Sequence, residues 1–239
     1  MARSPIETFA APFKRLLPRF IWAPARRLAT GLFTPVAFSL WSGHFKSSLK
    51  ERAVSAKGDA LPWYSYPAIQ FLAQRDFKDK TVLEFGGGQS TLWWAQRAKS
   101  VVTFEGDPEW QRDLAKRIPA NVTLYPAPTE TPAACVAFID GKLQALGAAK
   151  FDVIVIDSLC RRELVRWSLD RLAPDGALIC DNAEGYGFQE ESRDLAVSRV
   201  DFFGHAPGVI LPHATSVFFR GTSFVFDARH PLPDIAKQR

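Results

Sequence analysis

"TVLEFGGGQSTLWWA" occupies residues 81–95. An apolar, strand-like run ends at Glu84, three glycines follow, and an aromatic helical segment begins at once. Glycines between a strand and a helix let a backbone approach a ligand closely, and in open α/β sheets such turns lie at the carboxyl ends of strands. The same alternation continues on the C-terminal side. Strand 80–85 precedes helix 90–99, strand 100–105 precedes helix 108–118, and strand 121–125 leads to a helical region over about 130–147. Strand 151–157 precedes helix 161–172, and strand 176–181 precedes a polar loop and a helix near 189–199. Short, β-branched, continuously apolar strands are expected where both faces of a parallel sheet are covered. The pattern predicts an α/β fold with a doubly wound, mostly parallel Rossmann-like sheet. The end differs in kind: 200–207 and 214–226 read as strands with a turn at Arg220-Gly221, predicting a C-terminal antiparallel strand pair.

The bulk numbers suit one well-buried domain with an extension. The chain has 239 residues, 47% hydrophobic and 23% charged, ordinary values for a globular protein. Three widely spaced cysteines (Cys135, Cys160, Cys180) form no CxxC pair, which argues against a disulfide framework or structural zinc and fits a reducing, cytoplasmic compartment. The net charge of +5 is uneven: residues 1–57 carry ten Lys/Arg against two acids, and the remainder 20 against 23. This predicts a basic N-terminal arm, 1–57, on a mildly acidic domain, 58–239. A nucleic-acid partner would call for basic residues and stacking aromatics on the folded module, so none is expected.

The arm alternates Lys14, Arg15, Arg19, Arg26 and Arg27 with Phe13, Leu16, Leu17, Phe20, Ile21 and Trp22. That composition suits peripheral contact with an anionic membrane, at its inner face for a cytoplasmic protein. A leader without fixed structure, or a lid on the chain's own domain, fits the same residues. The charge-free run within 27–41 has about 14 residues and contains Pro35, short of the ~20 that a span needs.

The glycine loop lacks the Gly-Lys-Ser/Thr ending of a Walker A loop, since Gln89-Ser90-Thr91 follows Gly88. The dinucleotide pattern G-x-G-x-x-G is met only as Gly86-x-Gly88-x-x-Thr91. A carboxylate at Glu84 would repel a pyrophosphate but suits a ligand bearing an ammonium group. Read as acid-x-Gly-x-Gly-x-small (Glu84, Gly86, Gly88, Ser90), the loop resembles that of the class I S-adenosylmethionine-dependent methyltransferases. The resemblance implies that the loop passes under the methionine part of the cofactor. Glu105 closes the second strand about 20 residues on, where an acid bonds ribose hydroxyls. NAD enzymes share that acid, so Glu105 supports a nucleoside without choosing which. Asp157, ending the fourth strand, is a further cofactor candidate.

A second constellation lies in "VIDS", with Asp157, and "ICDNAE", with Asp181 and Asn182. Two carboxylates and an amide oxygen on neighbouring strand ends make an all-oxygen set that suits magnesium. The pattern is similar to that of the metal-dependent O-methyltransferases. It implies that Asp157, Asp181 and Asn182 hold the metal and that Asp157 and Asp181 serve catalysis by activating the acceptor hydroxyl. Those enzymes place a lysine base where this chain has Cys160. His205 and His213 are then the candidate proton acceptors.

"SGHFKSSLKE" (42–51), "LPWYSYPAIQFL" (61–72), "EFGGGQSTLWWA" (84–95) and "TSVFFR" (215–220) resemble a branch of the same superfamily associated with sugar and cell-envelope assembly. That resemblance implies no particular acceptor; the reading of the whole chain is an S-adenosylmethionine-dependent methyltransferase acting on a small-molecule or sugar hydroxyl. Tyr186, in the polar loop beyond strand five, is the better acceptor-pocket aromatic, whereas Trp93 and Trp94 read as helix-to-sheet core. A non-catalytic nucleoside-binding scaffold at a membrane-associated glycan assembly, and an NAD-dependent oxidoreductase, are the alternative readings.

Overall fold

The computed structural model of this chain describes residues 18–128, 131–157 and 160–231. The arm residues before Pro18, and Ser158 of the "VIDS" motif, lie outside the described residues. Seven strands make one sheet: β1 (Thr81–Phe85), β2 (Ser100–Glu105), β3 (Val122–Pro126), β4 (Phe151–Ile156), β5 (Leu172–Asp181), β6 (Ser198–Gly204) and β7 (His213–Phe219). Their order is β3-β2-β1-β4-β5-β7-β6. The first five run parallel, while β7 is antiparallel to both β5 and β6. The predicted doubly wound sheet with an antiparallel C-terminal pair is therefore present.

Helices α1 (Arg19–Trp41), α2 (His44–Lys50) and α3 (Tyr66–Leu72) precede the sheet. Helices α4 (Gln89–Ala95), α5 (Pro108–Ala115), α6 (Pro132–Ala145), α7 (Arg161–Arg171) and α8 (Phe188–Ser192) alternate with its strands. Local chemistry sets several starts. Asp107 and Thr131 cap α5 and α6 with their side chains, each followed by a proline in the first turn, where a missing N–H costs nothing.

Alternate strand residues serve two cores, as double-faced burial requires. Val82, Val101, Val153, Val155 and Ile179 pack with Trp93 and Trp94 on one face. Leu83, Phe85, Phe104, Ile154, Ile156 and Leu178 pack with α6 and α7 on the other. Trp93 and Trp94 are fully buried core, as is Tyr64.

Several element boundaries differ from expectation: the helices expected over 90–99 and 108–118 end early, at Ala95 and Ala115. Strand β5 begins at Leu172, not near 176, because Phe151 pairs with Leu172 before the register jumps to Val153 with Ala177. The intervening Ala-Pro-Asp-Gly bulges out, with Pro174 unable to donate to a ladder. The helix expected near 189–199 is the short α8, and strand β6 starts at Ser198. The strand expected over 214–226 stops at Phe219. Gly221 turns with φ +65°, and Phe224–Phe226 forms a 3-10 turn that returns Phe226 against Phe71 and Phe219.

The 1–57 segment is not uniform. Its later part packs on the sheet domain: Ala53 and Val54 are buried, Gln89 Nε2 donates to the Ala53 carbonyl (3.3 Å), and the Gly208 N–H donates to His44 Nδ1 (3.2 Å). Helix α1 runs unbroken through Pro24 and Pro35, each of which removes one backbone donor. Among the described residues no helix is long and apolar enough to cross a membrane.

Candidate functional site

The strand order reverses between β1 and β4, and the crevice above their carboxyl ends is where such sheets bind ligands. Two cavities adjoin there and share Gly86, Glu105 and Asp157. The larger, about 710 Å³, extends past Phe104, Asp107 and Ile139 on one side to Arg161 and Tyr186 on the other. Its volume lies within the usual ~300–1,000 Å³ of small-molecule sites. The smaller, about 240 Å³, lies between the glycine loop and Trp63 and Trp110. These two indoles stack at 6.2 Å between centroids.

Two glycines of the loop each have their own reason. Gly86 turns at φ +96°, a conformation that L side chains rarely adopt. Gly87 is the close-approach glycine, which the acid-x-Gly-x-Gly reading passed over. A Cβ there would stand 2.7 Å from Thr103 Cγ2 and 2.8 Å from Leu114 Cδ2. Its N–H donates to Glu105 Oε2 (2.7 Å) and its carbonyl accepts from Trp110 Nε1 (2.6 Å). Gly87→Ala is accordingly expected to cost about 2 kcal/mol through overpacking. Calorimetry should show a melting point several degrees lower, with weaker cofactor binding by titration; an unchanged melting point would contradict the close packing.

Glu105 presents acceptors to this space, and Glu84 lies buried behind the loop. Glu84 is fully buried. Its Oε2 accepts a short bond from the Thr91 hydroxyl and another from Thr103 Oγ1 (2.9 Å), while Oε1 lacks a well-formed hydrogen bond among the described residues. Burial pushes its carboxyl up to about 7, against the hydroxyls of Thr91, Ser90 and Thr103. Glu105 accepts from the N–H groups of Gly87 and Asp107, each at 2.7 Å, leaving lone pairs on both oxygens. Its pKa is raised by burial, although those two N–H groups oppose the shift. Ser90 lies buried in the first turn of α4. The set fits a ligand with hydroxyl donors and a cationic group: an orphaned carboxylate oxygen, a second acid with spare acceptors, and a loop with no side chain in the way.

The second constellation is arranged differently from the magnesium set expected of it. Asp157 lines both cavities, but Asp181 is 2% exposed and turned away. Its Oδ1 accepts from Thr215 Oγ1 (2.6 Å) and lies 3.3 Å from His213 Nε2, without a well-directed bond. Between the presumed ligands sits the Arg161 guanidinium. It donates to Asp157 Oδ1 (2.8 Å), Asn182 Oδ1 (3.0 Å) and the Asp181 carbonyl (2.6 Å), and it lies 4.3 Å from the Tyr186 ring centroid. A guanidinium that holds both oxygens repels a second cation from the same place, and Asp157, Asp181 and Asn182 do not aim at a common point. No cluster of three or more His, Cys, Asp or Glu side chains fit for a metal occurs among the described residues. These residues do not fit magnesium.

Burial raises the Asp157 pKa and the charge of Asp181 adds to the shift, while Arg161 opposes it. For His213, burial works against protonation, yet the Asp181 carboxylate beside it leaves its pKa raised. Three non-glycine residues with positive φ surround the guanidinium: Cys160 (+63°), Asn182 (+52°) and Tyr186 (+57°). Such backbone persists where surroundings over-determine it, and it clusters at functional sites. His205 does not join this group. It is exposed beyond β6, with its ring 6.4 Å from that of His44, and it lines neither cavity.

No protein-family model matches the sequence, and no curated protein does. Among solved structures, an O-methyltransferase from Bacillus cereus in complex with SAH is similar with a TM-score of 0.50 and 15% identity, over 75% of this chain and 90% of that one. A Streptococcus mutans protein described as a SAM-dependent methyltransferase aligns with a TM-score of 0.45 and 14% identity, over 62% of this chain. This chain spans only 46% of that protein's length. An rRNA methylase from Streptococcus thermophilus gives 0.46 and 15%, over 66% of this chain and 97% of the other. At 15% identity, the likeness to the Bacillus cereus structure shows a shared fold and nothing finer.

Proposed function

From a chain with the class I methyltransferase fold, we propose an S-adenosylmethionine-dependent methyltransferase that acts on a hydroxyl oxygen of a small molecule or sugar. One observation carries the reading. Glu105 and Asp157 line both cavities beside the glycine loop, and Glu84 lies buried behind it, a gathering of carboxylates that favours a cationic nucleoside over a pyrophosphate. Bound S-adenosylmethionine would supply an electrophilic methyl on its sulfonium.

The chain's own residues do the rest. Glu105 accepts hydroxyl donors, and the buried Glu84 carboxylate supplies negative charge behind the loop for the cationic part of the ligand. Asp157 faces both cavities, and its raised pKa makes it a competent base near neutral pH. It would take the acceptor's proton and so make that oxygen nucleophilic toward an electrophilic methyl. Arg161 holds Asp157 in place, and Tyr186, 61% exposed above the guanidinium, offers the acceptor an aromatic face. Asp181 and His213 lie behind, where they set the local charge rather than touch the reacting atoms.

Thermal unfolding with S-adenosylhomocysteine, and separately with NAD, tests the cofactor. A ligand at about 100 times its Kd stabilises by ~2.7 kcal/mol, a shift of roughly 5–10 °C for this size. The expected outcome is a shift with S-adenosylhomocysteine alone, followed by methyl transfer in a screen of sugar and phenolic hydroxyls. A shift with NAD alone would overturn the assignment. Cofactor binding without turnover on any acceptor would favour the scaffold.

A further inference from the structure

Helix α1 has 23 residues and no acid among them. Its end is held on the domain by Phe38, whose ring meets that of Tyr66 edge-on at 5.2 Å. The outer side is apolar and bare. Ile21, Leu28, Leu32, Val36 and Leu40 are 43–66% exposed. At 3.6 residues per turn they fill an arc of roughly 120°, centred roughly 140° around the helix from Phe38. The apolar stripe therefore points away from the domain, and Arg26 borders it.

The neighbouring surface has the same character. Helix α2 exposes Phe45 and Leu49, at 54% and 72%. The loop that α2 grips through His44 and Gly208 exposes Ile210 and Leu211, at 85% and 71%. This loop joins β6 to β7 on the edge of the sheet where the candidate site opens.

We propose that α1, with the outer side of α2 and the 205–212 loop, docks on the surface of an anionic lipid bilayer. The helix would lie flat, its stripe among the acyl chains and Arg26 at the headgroups. Charge selects this occupant. The 1–57 segment carries ten basic residues against two acids, so a second copy would bring like charges together, whereas an anionic surface neutralises them. Docked this way, the loop on the same edge of the sheet as the candidate site meets the membrane.

The test is flotation of the full chain with vesicles of phosphatidylglycerol and phosphatidylcholine, against vesicles of phosphatidylcholine alone, at 0.15 M salt. Binding at least about tenfold greater on the anionic vesicles is expected, since each basic residue adds ~1 kcal/mol near such a surface. Leu28→Glu with Leu32→Glu should reduce flotation at least about tenfold while the melting point stays the same, because both side chains are exposed. No flotation, equal flotation on neutral vesicles, or a double variant that floats like the wild type would overturn the proposal. So would a concentration-dependent dimer that the double variant abolishes, which would make the stripe a self-contact. The thermal shift with S-adenosylhomocysteine, read on the same samples, reports the cofactor assignment separately.

Discussion

Arg161→Ala is expected to slow methyl transfer by about a hundredfold and to lower the melting temperature by about 6–12 °C. The stability loss follows from what the guanidinium leaves behind. Its side chain is 12% exposed and that of Asp157 is 21%, so removing it strands a sheltered carboxylate together with the Asn182 amide oxygen and the Asp181 carbonyl. Breaking one side of a buried pair costs about 3–5 kcal/mol, and Asp157 limits this to about 3 by protonating. Each kcal/mol is worth roughly 2–4 °C at this size. The rate loss has a separate cause, because a base displaced by ~1 Å costs about a hundredfold. Arg161→Lys should recover stability better than rate, since one ammonium cannot copy a planar fork across three oxygens. The pH profile separates positioning from packing. Arg161 lowers the Asp157 pKa, so its loss should move the ascending, acid-side limb of the rate profile to higher pH. Wild-type turnover should persist in EDTA. Turnover that EDTA abolishes and magnesium restores would overturn the reading of Arg161, as would an Arg161→Ala enzyme with wild-type rate.

The second large effect is on pH. The affinity for S-adenosylmethionine should rise about tenfold from pH 6 to pH 8.5, because the Glu84 carboxyl, raised to about 7, must ionise to meet a cation. Without ligand the sign is opposite. An acid whose folded pKa exceeds its unfolded value contributes stability below the unfolded value and loses it as pH rises through the folded one. The free protein should therefore lose stability between about pH 4.5 and 7, while the ligand-induced gain grows over that window. Asp157, also raised, acts in the same direction. Isothermal titration at several pH values measures the first effect and calorimetry the second. Glu84→Gln should flatten the affinity profile. A wild-type affinity that is flat with pH, or stronger in acid, would remove Glu84 from the cationic part of the ligand.

Neither prediction was wholly legible in the sequence, and the residues show why. The order of strands and helices could be read from β-branched runs and helical spacing, because those patterns are local. So could the arrival of Glu84, Gly86, Glu105 and Asp157 at strand ends, since a βαβ unit returns the chain to the same edge of the sheet at a nearly fixed spacing. Gly87 was harder: its neighbours Thr103 and Leu114 come from β2 and α5, and only packing shows that they leave no room for a Cβ. The oxygen-rich pattern of Asp157, Asp181 and Asn182 was visible, but its direction was not.

What the sequence alone determined is the α/β alternation, the antiparallel finish and the acids beside the glycine loop, all consequences of short-range periodicity and chain spacing. What only the tertiary structure decided is where the side chains of the second constellation point. Three left-handed residues aim the turns at Cys160, Asn182 and Tyr186, and the antiparallel register sets Thr215 beside Asp181. Helix α7 then delivers a guanidinium into the gap between Asp157 and Asn182. Side-chain direction in turns depends on backbone conformation that long-range contacts impose, and no spacing along the chain encodes it.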